Sequence, residues 1–180
     1  MRILLLALLA FVTGCSGCVS LPKEPDPHSF ALRLEFENGL CSATAIGPDE
    51  IISAAHCFRD GGRLNKIGSQ AARGYTVTPA GEDVVRVKFA AGVHFVAWAK
   101  KFGKAVQADR VRWYGNPLGA EDMLREGYVS GVVDGMVVIA AATCVGDSGS
   151  GIFNQRGELI AIVSRIPTPK CSVFVLAVPV

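Results

Sequence analysis

The segment Cys144-Val145-Gly146-Asp147-Ser148-Gly149-Ser150-Gly151 decides how this chain is read. Apolar runs flank it, Val137 to Ala142 before and Ile152-Phe153 after, so a hydroxyl and a set of glycines are placed between two buried stretches. The segment alone fits either a glycine-rich turn between strands or a nucleophile loop. In the second reading Ser148 attacks a carbonyl while the backbone N–H groups of Gly146 and Ser148 hold the oxyanion that forms. Ser53-Ala54-Ala55-His56-Cys57, far upstream, favours the second reading because it supplies an imidazole beside a cysteine.

Outward from these two motifs the chain reads as short strands separated by turns. Phe30, Leu32, Leu34 and Phe36 alternate with Arg33 and Glu35, the pattern of a half-buried strand. Asn38-Gly39 is a hairpin signal between that strand and a second at Leu40 to Ile46. A turn at Pro48-Asp49 leads to a third strand, Ile51 to Ala55, which His56 closes. Residues 59 to 74 read as a surface loop, followed by strands at Tyr75 to Thr78 and Val84 to Phe89. Trp98 to Val106, with its lysines, suits a crossing between two halves and allows a short helical turn. The second half carries strands at Val111 to Tyr114, Tyr128 to Val133 and Met136 to Ala141, the last two joined at Asp134-Gly135. Strands at Leu159 to Val163 and Val173 to Val178 follow the serine segment, and residues 120 to 126 read as helical. Short strands at regular spacing predict an all-β sandwich or barrel.

Composition narrows the function classes. The 180 residues are 50% apolar with 20 glycines, enough for one compact unit or two small barrels sharing an interface. Eighteen basic and 16 acidic residues are spread along the chain, with no basic block to bind nucleic acid and no acidic tail. Met1-Arg2 followed by an apolar run from Ile3 to Val12 is a signal peptide, too short to span a bilayer as a mature helix. It ends in Val12-Thr13-Gly14-Cys15, which resembles the lipobox of bacterial lipoproteins. Residues 1–14 are therefore expected to be removed and Cys15 lipidated, with 15–29, rich in proline, as a tether. An ordinary signal-peptidase site and an uncleaved anchor are the competing readings. Lipidation would place the protein in an exported bacterial envelope, at the periplasm or cell surface, and Ser16 after the cysteine leans towards the outer membrane by resemblance to lipoprotein sorting rules. Cys41, Cys57, Cys144 and Cys171 then form an even set in an oxidising compartment, for which three pairings exist. No C-x-x-C spacing supports zinc.

Acyl transfer by serine needs a base within hydrogen-bond reach and a carboxylate to orient it. His56 is the base, since His28 lies in the tether and His94 sits in an apolar run where a histidine packs. Asp83 is the first choice of carboxylate because it opens the apolar strand Val84 to Phe89 and is drawn into a dry cleft. Asp109 is the alternative, Asp60 is too close to His56 in sequence, and Asp147 braces the serine loop.

Ala54-Ala55-His56-Cys57, Asp83-Val84-Val85 and Gly146-Asp147-Ser148-Gly149 together resemble the three catalytic signatures of the trypsin-like, chymotrypsin-fold serine peptidases, in that family's order. Gly115-Asn116-Pro117-Leu118-Gly119 with Val129-Ser130-Gly131 is similar to the bacterial HtrA-like branch, and no PDZ-like segment follows Val180. The resemblance spans residues 30–180. It implies two perpendicular six-stranded β-barrels, about 30–97 and 108–180, with His56, Asp83 and Ser148 in the cleft between them. It also implies Cys41–Cys57 and Cys144–Cys171 disulfides, an oxyanion hole of Gly146 and Ser148, no cofactor, and a protein or peptide substrate. Nothing like the family's Ile-Val-Gly-Gly terminus precedes Phe30, so by the resemblance Asp147 must be satisfied otherwise and activation by that cleavage is not expected. By the same resemblance Ala142 floors the primary pocket, with Thr143, Val145, Ser164 and Ile166 as walls; the absence of an acid there points to small or apolar residues before the scissile bond. A non-catalytic binding lipoprotein on the same fold and a serine esterase are the alternative functions.

Overall fold

The computed structural model describes residues 26–90 and 92–180. The signal peptide, the lipobox Cys15 and the tether up to Pro25 lie outside the described residues. No helix among those described is long and apolar enough to cross a membrane. Pro27–Phe30, of which the first three residues were expected in the tether, form a 3-10 turn that buries Pro27 and Phe30. His28, read as a linker residue, packs its ring 4.7 Å from that of Tyr114.

The first half is a rolled sheet with strand order β5-β4-β1-β2-β3-β7-β6. Its members are β1 (Ala31–Phe36), β2 (Leu40–Gly47), β3 (Glu50–Ala54), β4 (Leu64–Ile67), β5 (Gln70–Ala71), β6 (Tyr75–Pro79) and β7 (Val84–Phe89). The alternation seen in the sequence is real: Val85, Val87 and Phe89 face the core while Arg86 and Lys88 face water. Leu34, Ile51, Leu64 and Ile67 complete that core.

The second half is a closed barrel, in the order β10-β13-β12-β11-β8-β9. It comprises β8 (Arg110–Gly115), β9 (Met123–Val133), β10 (Met136–Cys144), β11 (Gly151–Asn154), β12 (Leu159–Arg165) and β13 (Cys171–Pro179). Trp113, Ile139, Ile152, Ile160 and Val175 fill it. The fold is thus the expected all-β, chymotrypsin-like double barrel, except that the first half is a seven-stranded sheet whose end strands, β5 and β6, do not pair with each other, rather than a closed six-stranded barrel. Phe30, Ile52 and Val84 from the first half meet Phe153, Leu159, Ile162 and Val178 from the second in a shared apolar layer.

Three local expectations change. His56 does not close β3 but lies in a six-residue helix, α1 (Ala55–Asp60). Residues 59 to 74 are not all loop: they hold β4 and β5, hidden in the sequence because exposed Asn65 and Lys66 stand together between buried Leu64 and Ile67, which breaks the two-residue period. Met123 to Glu126 are strand, not helix. Residues with good helix propensity are overridden there by cross-strand pairing, Tyr114 with Leu124 and Trp113 with Arg125. The crossing from Trp98 to Val106 is an extended strap, pinned to the first half by Ala99 N–H on Ala45 O and to the second by Gly103 N–H on Leu159 O.

Disulfides join Cys41 to Cys57 and Cys144 to Cys171. The first closes a loop of sequence separation 16 that contains β3 and the start of α1. Replacing both its cysteines by serine is expected to cost about 2–4 kcal/mol of stability, chiefly by freeing the unfolded chain. Urea denaturation of the double variant against the oxidised parent measures it.

Candidate active site

Antiparallel pairing builds the first part of the site. Ala54, the last residue of β3, lies opposite Val84, the first of β7. The residues just beyond those ends, His56 and Asp83, therefore meet across 27 positions of sequence. Asp83 Oδ2 accepts a hydrogen bond from His56 Nδ1 at 2.8 Å, and Oδ1 accepts one from the His56 backbone N–H at 3.0 Å. Ser164 Oγ, at the end of β12 in the other half, donates to Oδ2 at 2.5 Å. An ionised carboxylate only accepts, so it selects the imidazole tautomer with hydrogen on Nδ1 and leaves Nε2 as a free acceptor.

Asp83 is 6% exposed. Burial alone would raise its pKa, but the Ser164 hydroxyl and the His56 ring and backbone N–H outweigh burial, and the net shift is downward. A lowered folded pKa means that the stabilisation is complete above the ordinary carboxylate value of 3.8 and is lost as pH falls through the lower folded value. Asp83→Asn is expected to cost about 1–3 kcal/mol at neutral pH, as for a buried charged hydrogen-bonding group. Its deficit relative to the parent should shrink below pH 3.8 in denaturation curves taken across the acid range.

The serine loop is clamped between the halves. Ser42, on β2, donates its N–H to Ser148 O and its Oγ to Gly146 O, both at 2.8 Å, and Asn116 Nδ2 donates to Ser42 Oγ. Leu118 N–H takes Val145 O at 2.7 Å and Ser150 N–H takes Asp147 O at 3.0 Å. In a trans peptide the N–H points opposite the C=O, so fixing the carbonyls of Val145 and Asp147 aims the N–H groups of Gly146 and Ser148 the other way. Among the described residues neither of those two N–H groups has a backbone partner, whereas the Asp147 N–H between them is taken by Cys144 O. The loop requires its glycines. Gly146 has φ +102° and a Cβ there would sit 2.2 Å from Asn116 O; Gly149 has φ +90° and its Cβ would sit 2.0 Å from Ser42 O.

Cys57 Sγ lies 3.9 Å from Ser148 O, so the residue after His56 touches the serine's backbone. The His56 side chain is 27% exposed and Ser148 is half-buried, and His56 faces an open cleft of about 420 Å³. That cleft is lined by His56, Asp83, Ser164 and Ile166, with Arg59, Asp60, Glu82 and Arg165 at its rim. No hydrogen bond joins Ser148 Oγ to His56 among the described residues. Such contacts are often long in substrate-free enzymes and tighten in the bound complex.

Of the residues expected to form the primary pocket, Ser164 and Ile166 line the cleft. Ala142 and Val145 are exposed, and Thr143 is fully buried in β10. Ser164 also has a role that its placement as a wall did not suggest, as a donor to Asp83. Asp109 stays outside the site, its carbonyl accepting from Val129 N–H at the start of β8, and Asp60 pairs with Arg59 on the surface. His94, expected to be packed, is exposed, and its backbone N–H and C=O bond the Gln70 amide. Cys41, His56 and Cys57 bring possible ligand atoms within 4.8 Å of one another, but both sulfurs are spent in a disulfide and offer no thiolate to a metal. Ser42, which clamps the loop, carries no local signal that singles it out, and Asn116, which donates to it, was legible only as part of the Gly115 to Gly119 motif.

A closed six-stranded barrel and a rolled β-sheet, with Ser164 of the one bonded to Asp83 of the other and the Ser148 loop bonded to Ser42 across their junction, define the chymotrypsin-like class of fold. The sequence profile of the trypsin-like peptidase domain matches residues 41–162, and the chain belongs to that family. Among solved structures, the chain is similar to the inactive form of a serine-to-alanine mutant of Rv3671c from M. tuberculosis H37Rv. That likeness has 17% identity and a TM-score of 0.62 over 84% of this chain and 82% of the other. It is also similar to the HtrA-type protease AlgW, in a serine-to-alanine variant with a tripeptide, at 17% identity and a TM-score of 0.63 over 83% of this chain. There the chain spans about half, 55%, of the other protein's length. No curated protein matches the sequence.

Proposed function

We propose that the protein is an exported, lipid-anchored serine endopeptidase that works through Ser148, His56 and Asp83. The observation that carries the reading is the approach, where the two halves meet, of an imidazole wired to a buried carboxylate and a serine loop with two N–H groups that have no backbone partner among the described residues; Cys57, next to His56, lies 3.9 Å from Ser148 O. Ser148 Oγ attacks the peptide carbonyl carbon as its proton passes to His56 Nε2. The carbonyl oxygen becomes an oxyanion facing the N–H groups of Gly146 and Ser148. His56 then protonates the leaving amine nitrogen, the C–N bond breaks, and an acyl-Ser148 ester remains. Water, deprotonated by His56, releases the acid and restores the serine. Asp83 stays ionised throughout and stabilises the imidazolium.

Exposed Ala142, at the position that floors the pocket in this family, supports cleavage after small or apolar residues. The lipobox ending at Cys15 supports anchoring; Cys15→Ala should move the protein from the membrane fraction to the soluble one. The direct test incubates the full chain in detergent with an unstructured protein, a peptide library and a simple ester, beside Ser148→Ala. Peptide products that vanish in the variant are expected. Ester turnover without peptide turnover would make the protein an esterase, and tight binding without cleavage would make it a binding module.

A further inference from the structure

We propose that the outer face of β9, β10 and β13 is a membrane-docking surface, which lies on the bilayer that holds the lipid anchor at Cys15. The inference rests on the proposed lipid anchoring, not on the peptidase chemistry. Alternation along the three strands sends Val129, Ile139 and Val175 into the barrel and their neighbours outward. Register then fixes which outward residues share a row. Tyr128, Ala140 and Phe174 form one row, and Gly131, Val138 and Leu176 form the next. Neither row holds a charged side chain, yet Tyr128 is 55% and Phe174 47% exposed. Exposed Val132 and Val133 extend the face to the end of the β9–β10 hairpin. A contiguous apolar surface left in water is unfavourable and marks a site of interaction.

The place where the tether joins the body selects the occupant. His28 sets its ring 4.7 Å from that of Tyr114 on β8 and its Nε2 3.7 Å from Asp122. Tyr114 pairs with Leu124, and from there the outward row of β9 runs through Glu126 to Tyr128, about 13 Å along the strand. The tether therefore enters on the wall that carries the apolar face. Cys15 stands eleven residues before Asp26, and a chain of that length reaches at most about 40 Å. That is about the width of a domain of this size, on the order of 40 Å. A short linker keeps the bilayer at high effective concentration beside this wall, whereas a second copy must be met by diffusion. The charged surroundings suit anionic headgroups. Exposed Arg112 and Lys170 flank the face, Glu126 is already bonded to Arg110, and Asp134 is confined to the hairpin turn. Tyr128 adds an amphipathic ring of the kind that sits at headgroup depth. The outward row of β10 continues through exposed Ala142 to Cys144, so the docked face borders the serine loop.

The test uses the lipidated full chain, extracted from membranes in detergent with its disulfides intact. It is reconstituted into vesicles of phosphatidylethanolamine and phosphatidylglycerol, with and without brominated acyl chains as a fluorescence quencher. The parent, whose own tryptophans are Trp98 and Trp113, sets the background. Phe174→Trp reports on the face, and Val77→Trp reports on exposed β6 of the first half. A face seated about 5–10 Å into the boundary of headgroups and acyl chains brings the ring at position 174 to the bromines, so its emission should fall at least about two-fold. Emission from position 77 should not change. Adding Tyr128→Asp to Phe174→Trp should remove most of the quenching, because a carboxylate in that row opposes burial in lipid. Val173→Trp, at a position 69% exposed, is the second reporter if Phe174→Trp does not fold. Equal emission changes at positions 174 and 77, in vesicles that carry the protein through flotation, would overturn the docking alone. A protein that does not float with the vesicles would overturn the anchor, and the docking with it. A dimer in detergent that Tyr128→Asp dissociates would give the face to a second copy and overturn the inference.

Discussion

Ser148→Ala is expected to lower kcat by about 10⁶, the scale seen when the nucleophile of a triad is removed. The residual rate would come from substrate binding and the two loop N–H groups, which the substitution leaves in place. Stability should hardly change. The Ser148 hydroxyl makes no hydrogen bond to His56 among the described residues, and the loop is held by backbone groups of residues 145 to 149, not by that side chain. A melting temperature equivalent to within about 0.5 kcal/mol of the parent is expected. Steady-state kinetics and a thermal melt on the same preparations check both halves of the prediction. A large fall in activity with no fall in stability is the mark of a reacting group.

The second large effect belongs to Asp83→Asn, expected to lower kcat by about 10⁴. The substituted amide can still accept from the His56 backbone N–H or from Ser164 Oγ, so the site keeps much of its shape. It can also turn its NH₂ towards His56 Nδ1, and then the ring must carry its hydrogen on Nε2. A histidine in that tautomer donates where it should accept and cannot take the Ser148 proton. The loss should appear in kcat with KM little changed. A fall of less than about ten-fold would remove Asp83 from the mechanism.

The residues that perform the proposed chemistry were legible because each stands in a local pattern. Ser148 is framed by glycines that the backbone requires, His56 follows an apolar strand beside a half-cystine, and Asp83 opens another strand. The hairpin at Asp134-Gly135 was legible for the same reason: both residues adopt positive φ, +49° and +78°, as the two-residue turn requires. What escaped is the work of residues whose partners are remote. Ser42 meets Gly146 across 104 positions, and Ser164 meets Asp83 across 81. A serine in a strand carries no sign of which loop it will clamp. Arg125 was obscured twice over, since Met123 to Glu126 have helical propensity and only pairing with β8 turns them into the strand that delivers the guanidinium to Asp147. That Asp147 must be satisfied by some other group followed from the family resemblance; which group does so was not legible. The first half's failure to close likewise depends on β5, two residues long, and β6 at the sheet's edges, where no motif marks a strand that lacks a second neighbour.

The measurement that bears most directly on the central claim is the reaction of the whole, disulfide-intact protein with a fluorophosphonate, followed by mass spectrometry of the modified peptide. A phosphonyl group on Ser148, absent from Ser148→Ala and formed much more slowly in His56→Ala, is the result predicted for a serine activated by the Asp83–His56 pair. A folded protein that does not react, or one modified at another residue, would contradict it.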